Sequence, residues 1–500
     1  MTLSQPATPP DPAPDTKLAP RIGRGVFWAY LAYAGAKGLV FVSTVILGRL
    51  LTPADFGLVG LASLVTEYLG TVHTFGVGAA FIQRRDDPEE AANATFVIST
   101  GSGVALFLIS LLLAPLAVTF FKEPQVGIML PLLASTYVIT GLTAVNDALL
   151  VKNLRFRRRI IPVVTQALVK GAVSIGLALA GAGAWSLVWG VVIGTLVSNI
   201  TLVLISPWRV TRAWNRRVVR DILGFGGHII LLNFIGNIEV NVDYLIVGKR
   251  LGKESLGYYN MGFRLPELLI VNIVSVVSGV VFPVYSKMQG DRDGLRRSLL
   301  KTMQFIALVA VPAGVGLALV SDTFVHLFYT DKWAATIPVM QLLSIYAAIR
   351  ALTYNFGDVY KAVGRPDILN KIGVFTLVIT VIALWSGAAY GIVGVARAHV
   401  AIAVINFLID TTVVWRLLGV PPWRVLAAIS GPIASAGGMA VAMWAVDALI
   451  HPAPGAVQLL ALIATGAAVY LAFSWIINRP IMLTTIQLVQ QIVPRPAADR

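Results

Sequence analysis

From residue 25 onward, apolar stretches of about 20 residues or more follow one another almost without pause, each ended by a short polar or Gly/Pro break. A helix rises about 1.5 Å per residue, so such a stretch matches the roughly 30 Å of bilayer hydrocarbon. Inside lipid every peptide group must be satisfied within the structure, which leaves helices or a closed barrel. Barrel strands alternate apolar and polar residues and are half as long, so the pattern predicts helices. Fourteen segments fit: 25–47, 57–80, 96–120, 126–151, 160–181, 184–205, 223–247, 257–282, 303–328, 337–360, 368–388, 391–414, 425–448 and 457–477. Apolar residues make up 57% of the chain and charged residues 13%, about half the charged fraction of an ordinary soluble domain. The expected fold class is an all-α, polytopic membrane protein.

The basic residues set an orientation, because Lys and Arg concentrate in cytoplasmic loops. Placing the N-terminus in the cytoplasm leaves only Arg49, Lys122, Lys249, Arg250, Lys253 and Lys332 in the opposite loops. The other loops then hold the clusters Arg155 to Arg159, Arg209 to Arg220 and Arg292 to Lys301. Both termini are therefore expected in the cytoplasm, and an even number of spans preserves the alternation. The net charge of +15 is assigned to those loops and to anionic membrane lipids, with no nucleic acid as partner.

The chain also echoes itself. At an offset of 200, Ile46, Gly48, Leu51 and Gly57 fall on Ile246, Gly248, Leu251 and Gly257, each set ending one span and starting the next. Six spans separate the copies, so the two hairpins face the same way and imply a parallel repeat about the membrane normal. The expected organisation is a Pro-rich disordered tail at 1–24, a six-helix lobe at 25–206 and a basic connector at 207–222. A second six-helix lobe at 223–417, two extra spans at 418–479 and a tail at 480–500 complete it.

The loops opposite the Arg clusters are too short to hold a catalytic domain and offer only isolated acids, which points away from an enzyme. No Gly-rich phosphate loop ends in Lys-Ser or Lys-Thr, and the five histidines show no metal-ligand spacing, so no cofactor is expected. The informative residues are the ionisable groups inside apolar spans, each costing about 2.5–3.5 kcal/mol on insertion scales unless paired or hydrated. Lys37, Glu67, Lys170, Glu239 and Arg350 lie near span midpoints, with Asp243, Arg264 and Glu267 nearer one end. They can knit helices together as ion pairs or line a polar cavity between the lobes. Lys170 lies outside the repeated hairpins and reads as structural. Lys37 and Arg264 sit within them and are candidates for the cavity, with Arg350. Asn233, Asn237 and Asn241 form a stripe suited to interhelical hydrogen bonding or to a hydroxyl-rich ligand, so Asn237 is a candidate contact. Glu67, Glu239 and Asp243 are candidates for carrying a coupling proton or sodium ion.

The stretch Gly48-Arg49-Leu50-Leu51-Thr52-Pro53-Ala54-Asp55-Phe56-Gly57, with Phe75-Gly76-Val77-Gly78 closing the next span, resembles the polysaccharide transporter (Wzx-type) flippases. So does its echo, Asp243 to Gly248 followed by Leu256-Gly257-Tyr258-Tyr259. These proteins belong to the multidrug/oligosaccharidyl-lipid/polysaccharide exporter superfamily. The resemblance implies a V-shaped, two-lobed bundle in the bacterial inner membrane. It would pass undecaprenyl-pyrophosphate-linked oligosaccharide repeat units, for O-antigen, capsule or exopolysaccharide, from the cytoplasmic to the periplasmic leaflet by alternating access. It implies a cationic cavity facing the pyrophosphate, filled in kind by Lys37, Arg264 and Arg350, and a polymerase and glycosyltransferases as pathway partners. A cation-coupled drug exporter of the same superfamily is the alternative, and a membrane glycosyltransferase or polymerase the third reading. An inside-negative potential favours outward movement of an anion, by about 2.3 kcal/mol per charge per 100 mV, so flipping without ion coupling and coupled antiport both stay open.

Overall fold

The computed structural model describes residues 35–74, 77–84, 86–213, 215–450 and 455–484, without the side chains of 72, 74, 225–239 and 273–280. The expected tail at 1–24 and most of the one at 480–500 lie outside the described residues. All regular structure among the described residues is helical. In chain order the first helices are α1 (35–50), α2 (Pro53–Thr74), α3 (Val77–Gln83), α4 (Pro88–Phe121), α5 (Val126–Lys152), α6 (Phe156–Leu179) and α7 (Ala184–Ile205). Then come α8 (Arg216–Pro266), α9 (Asn272–Lys287), α10 (Arg292–Phe324), α11 (Ile337–Thr353) and the short α12 (Phe356–Ala362). The chain continues with α13 (Pro366–Gly387), α14 (Gly391–Leu418), α15 (Pro422–Ile450) and α16 (Gly455–Ile477).

Nine helical stretches among the described residues are long and apolar enough to cross a bilayer, one of them joining α13 and α14. The expected fourteen spans are thus not reproduced as a count. α2 and α8 are absent from the nine, and these helices carry Glu67, Asp243 and Arg264. The expected connector at 207–222 overlaps the start of α8. Helix α8 already begins at Arg216, where the Asn215 side chain accepts a hydrogen bond from the Arg217 amide at 3.0 Å. Within α8 the backbone leaves helical geometry at Gly252, whose φ of 84° lies in the left-handed region, so expected spans seven and eight meet at a kink there, and span eight continues past Pro266 into α9.

Helices α4 and α5 pack side by side, as do α6 and α7, and α2 and α7 lie against α5. Helices α10, α11, α13 and α14 form a second group, and α15 pairs with α16 against α10. Lipid tails are as apolar as Leu, so close packing rather than the hydrophobic effect holds such groups together. The groups meet where α2 crosses α8. A Cβ added at Gly57 would collide with the Lys253 carbonyl, and one added at Gly257 with the Pro53 carbonyl. Pro53 and Lys253 are themselves 200 residues apart, like the two glycines. The crossing is therefore reciprocal, with each copy of the repeat pressing its glycine on the backbone of the other.

The turn before α2 explains part of the quoted motif. Pro53 opens the helix, and Asp55 accepts hydrogen bonds from the Thr52 amide at 2.9 Å and the Thr52 hydroxyl at 2.7 Å. Its other oxygen accepts from the Ala184 amide at 3.0 Å, tying the start of α7 to the start of α2.

Candidate functional site

Beneath that crossing lies a cavity of about 350 Å³ walled by α1, α2, α6, α7 and both halves of α8. Its polar lining comprises Ser43, Thr44, Ser63, Glu67, Lys170, Ser174, Asn241, Tyr244, Asn260, Arg264 and Glu267. Lys170 and Arg264 therefore face the same space as two carboxylates, and none of the four is in a salt bridge among the described residues. Glu67 and Glu267 are 200 residues apart, so the internal repeat delivers one acid from each copy to one cavity. Ser174 is fully buried in the wall, and its hydroxyl has no hydrogen-bond partner among the described residues.

Lys37 lines a smaller adjoining space of about 30 Å³ together with Arg264 and Glu267. The expected neighbourhood of Lys37 and Arg264 is present, whereas Arg350 lies elsewhere. It lines a separate cavity of about 600 Å³ between α11, α13 and α14, with Asn370, Thr376, His399, Asn406 and Asp410. There its guanidinium donates to the Tyr346 hydroxyl at 2.9 Å. Asp243 faces neither cavity wall. Buried in the core, it accepts a hydrogen bond from the Tyr259 hydroxyl at 2.8 Å and lies 3.3 Å from His399 Nε2. The side chains of Asn237 and Glu239 lie outside the described residues; Asn241, from the same stripe, lines the central cavity.

The charges here are mixed rather than uniformly positive. Among the described side chains of the central cavity, Lys170 and Arg264 are matched by Glu67 and Glu267, and Lys37 lines the space next door. Lys170 is the residue that sequence reasoning set aside, because position relative to the repeat says nothing about which face of α6 meets α1 and α8. The role of Glu267 had a readable signal, since Glu67 lies 200 residues before it. His399 had none.

The end of the bundle near Pro53 is closed by contacts that cross between the helix groups. Arg49 donates to the carbonyls of Phe328, at 3.0 Å, and Leu327. Lys332 donates to the Arg49 carbonyl at 2.7 Å and the Trp333 indole to the Gly48 carbonyl at 2.8 Å. Lys249 donates to the Phe120 carbonyl at 2.6 Å, and Lys253 pairs with Glu123 at 2.8 Å.

The sequence profile of a family described as polysaccharide biosynthesis protein matches residues 46–338, more than half of the chain. The protein belongs to this family. Among proteins of similar sequence, the teichuronic acid biosynthesis protein TuaB of Bacillus subtilis (strain 168) is 25% identical over 404 residues, covering 78% of this chain and 82% of its own. The succinoglycan biosynthesis transport protein ExoT of Rhizobium meliloti (strain 1021) is 24% identical over 487 residues, covering 96% and 98%. For the fold, the lipid II flippase MurJ in an inward closed conformation superposes with a TM-score of 0.72 over 91% of this chain and all of its own, at 16% identity. This polysaccharide biosynthesis protein thus has the fold of a polytopic membrane transporter, and its central cavity lies within the matched residues except for its first few lining positions.

Proposed function

We propose that this protein is a flippase. It moves undecaprenyl-pyrophosphate-linked oligosaccharide repeat units from the cytoplasmic to the periplasmic leaflet of the bacterial inner membrane. The observation that carries the reading is a cavity holding Lys170 and Arg264 within the bundle, closed at the Arg-poor end, in a chain of the polysaccharide biosynthesis family. A pyrophosphate and its sugars cannot enter hydrocarbon unaided, because their charges and hydroxyls would lose hydration without replacement. Lys and Arg supply donors and countercharge, Arg as a two-pronged fork. The hydroxyl and amide groups of Ser63, Asn241 and Asn260 offer partners for sugar hydroxyls.

In this reading the two helix groups are six-helix lobes related by the repeat, with α15 and α16 added outside them. The Arg-rich loops face the cytoplasm, as the basic-residue bias requires. Access alternates by separation of the lobes at the α2–α8 crossing. The lipid tail stays in the bilayer throughout, while the sugars pass through the cavity.

Deletion of the gene tests the proposal. The deletion strain is expected to accumulate lipid-linked repeat units on the cytoplasmic leaflet and to lose surface glycan, with both restored by the intact chain. Normal surface polysaccharide with no accumulated intermediate would overturn it. The cavity carboxylates Glu67 and Glu267 favour one competing reading, a cation-coupled drug exporter. Sensitivity of the deletion strain to cationic dyes, with glycan unchanged, would decide for that.

A further inference from the structure

The cavity poses an electrostatic problem for its own substrate. Its described ionisable walls, Lys170 and Arg264 against Glu67 and Glu267, sum to no net charge. A pyrophosphate diester brings two negative charges at neutral pH, and its oxygens would meet the two carboxylates in a space of low dielectric, where like charges repel strongly. Either the acids must be absent as charges or something positive must arrive with the substrate.

Resting on the flippase reading, we propose that the transported species is the divalent-metal complex of the pyrophosphate, with Glu67 and Glu267 as the protein's ligands to that metal. A single divalent cation brings the total to neutrality, with two charges on the substrate, two on the acids, two on Lys170 and Arg264, and two on the metal. Magnesium suits the arrangement chemically. It is normally held by one or two carboxylates together with substrate phosphates and keeps several of its waters, rather than sitting in an all-protein cage. Among the described residues no group of three or more Asp, Glu, His or Cys could hold an ion by itself, so the substrate's phosphates and water would have to complete the coordination. The volume of about 350 Å³ corresponds to roughly a dozen waters, room for a hydrated metal and a pyrophosphate.

The repeat gives the pair its geometry. Glu67 on α2 and Glu267 at the end of α8 come from equivalent positions of the two copies, one on each side of the reciprocal crossing. A metal bridging them would bind the two sides together when loaded, so the cavity senses occupancy through the same residues that neutralise it.

The test uses the full chain in vesicles containing a fluorescent undecaprenyl-pyrophosphate oligosaccharide, with a membrane-impermeant reductant reporting leaflet exchange. Wild type is expected to flip about tenfold faster with magnesium on both sides than with a chelator, equivalent to about 1.4 kcal/mol. Glu67→Gln with Glu267→Gln removes the charges and keeps the shape. The double variant is expected to flip at one rate whether magnesium or chelator is present, and Glu267→Gln alone to lose most of the response. A wild-type rate indifferent to chelation overturns the proposal and leaves the flippase reading standing. A magnesium response that survives in the double variant does the same, since the metal would then act on the substrate alone. Acidification restoring the chelated wild-type rate would assign neutralisation to protons and also overturn it. Absence of exchange by wild type in every condition would instead sink the flippase reading, and this inference with it.

Discussion

Lys170 and Arg264 are the residues on which the flippase reading is most exposed. A charge-assisted hydrogen bond to an anion contributes about 1.5–3 kcal/mol, so Lys170→Ala or Arg264→Ala is expected to slow exchange roughly ten- to a hundredfold at normal protein level. Arg264→Lys should recover only part of this, because the planar fork is lost while the charge stays. Lys37→Ala is expected to weaken complementation through the adjoining space it shares with Arg264. Asp243 and His399 predict the opposite signature. They are buried together with Asp243 3.3 Å from His399 Nε2, Asp243 also accepts from the Tyr259 hydroxyl, and leaving a buried polar group unsatisfied typically costs about 1–3 kcal/mol. Asp243→Asn should therefore lower the thermal midpoint of the purified protein markedly, and adding His399→Gln should cost less than the sum of the two. Additive losses would show that the two side chains do not act as a pair. The sequence made some of these roles readable and hid others. A charged residue in an apolar span announces that something must satisfy it. Whether the partner is a neighbour, as for Asp243, or a cavity, as for Lys170, depends on helix rotation, which charge and periodicity leave undetermined.

At the scale of elements, the α2–α8 crossing was legible because it is written twice. Gly57 and Gly257 were identifiable as repeat positions, and their shared property is physical: each permits a backbone approach that any side chain would block. The break within α8 was legible as well: apolar content falls away around Lys249 to Glu254, which reads as a turn between two spans, and the backbone kinks there at Gly252. Gly57→Ala and Gly257→Ala are expected to act alike, holding the Arg-poor end apart. The chain contains no cysteine, so a single Ser63→Cys places a unique thiol in the central cavity. Labelling of that thiol by a membrane-impermeant maleimide from the Arg-poor side should rise severalfold in either alanine variant. Unchanged labelling would mean that the crossing is not the barrier.

For the whole molecule, the length of the apolar stretches and the low charged fraction gave the membrane class, which the helical fold bears out. What could not be read was the division of polar space into two cavities, since Arg264 and Arg350 look equivalent along the chain and differ only in which helices surround them. The contacts that close the end near Pro53 have one property in common. Arg49, Lys332, Trp333 and Lys249 all donate to peptide oxygens, and only Lys253 relies on a carboxylate, that of Glu123. A peptide oxygen has no proton to gain in any mild acid. Under the flippase reading that face is the periplasmic one, and acid outside the cell would leave those four contacts in place while acting on the Lys253–Glu123 pair and on His326 beside Asp322 and Asp331.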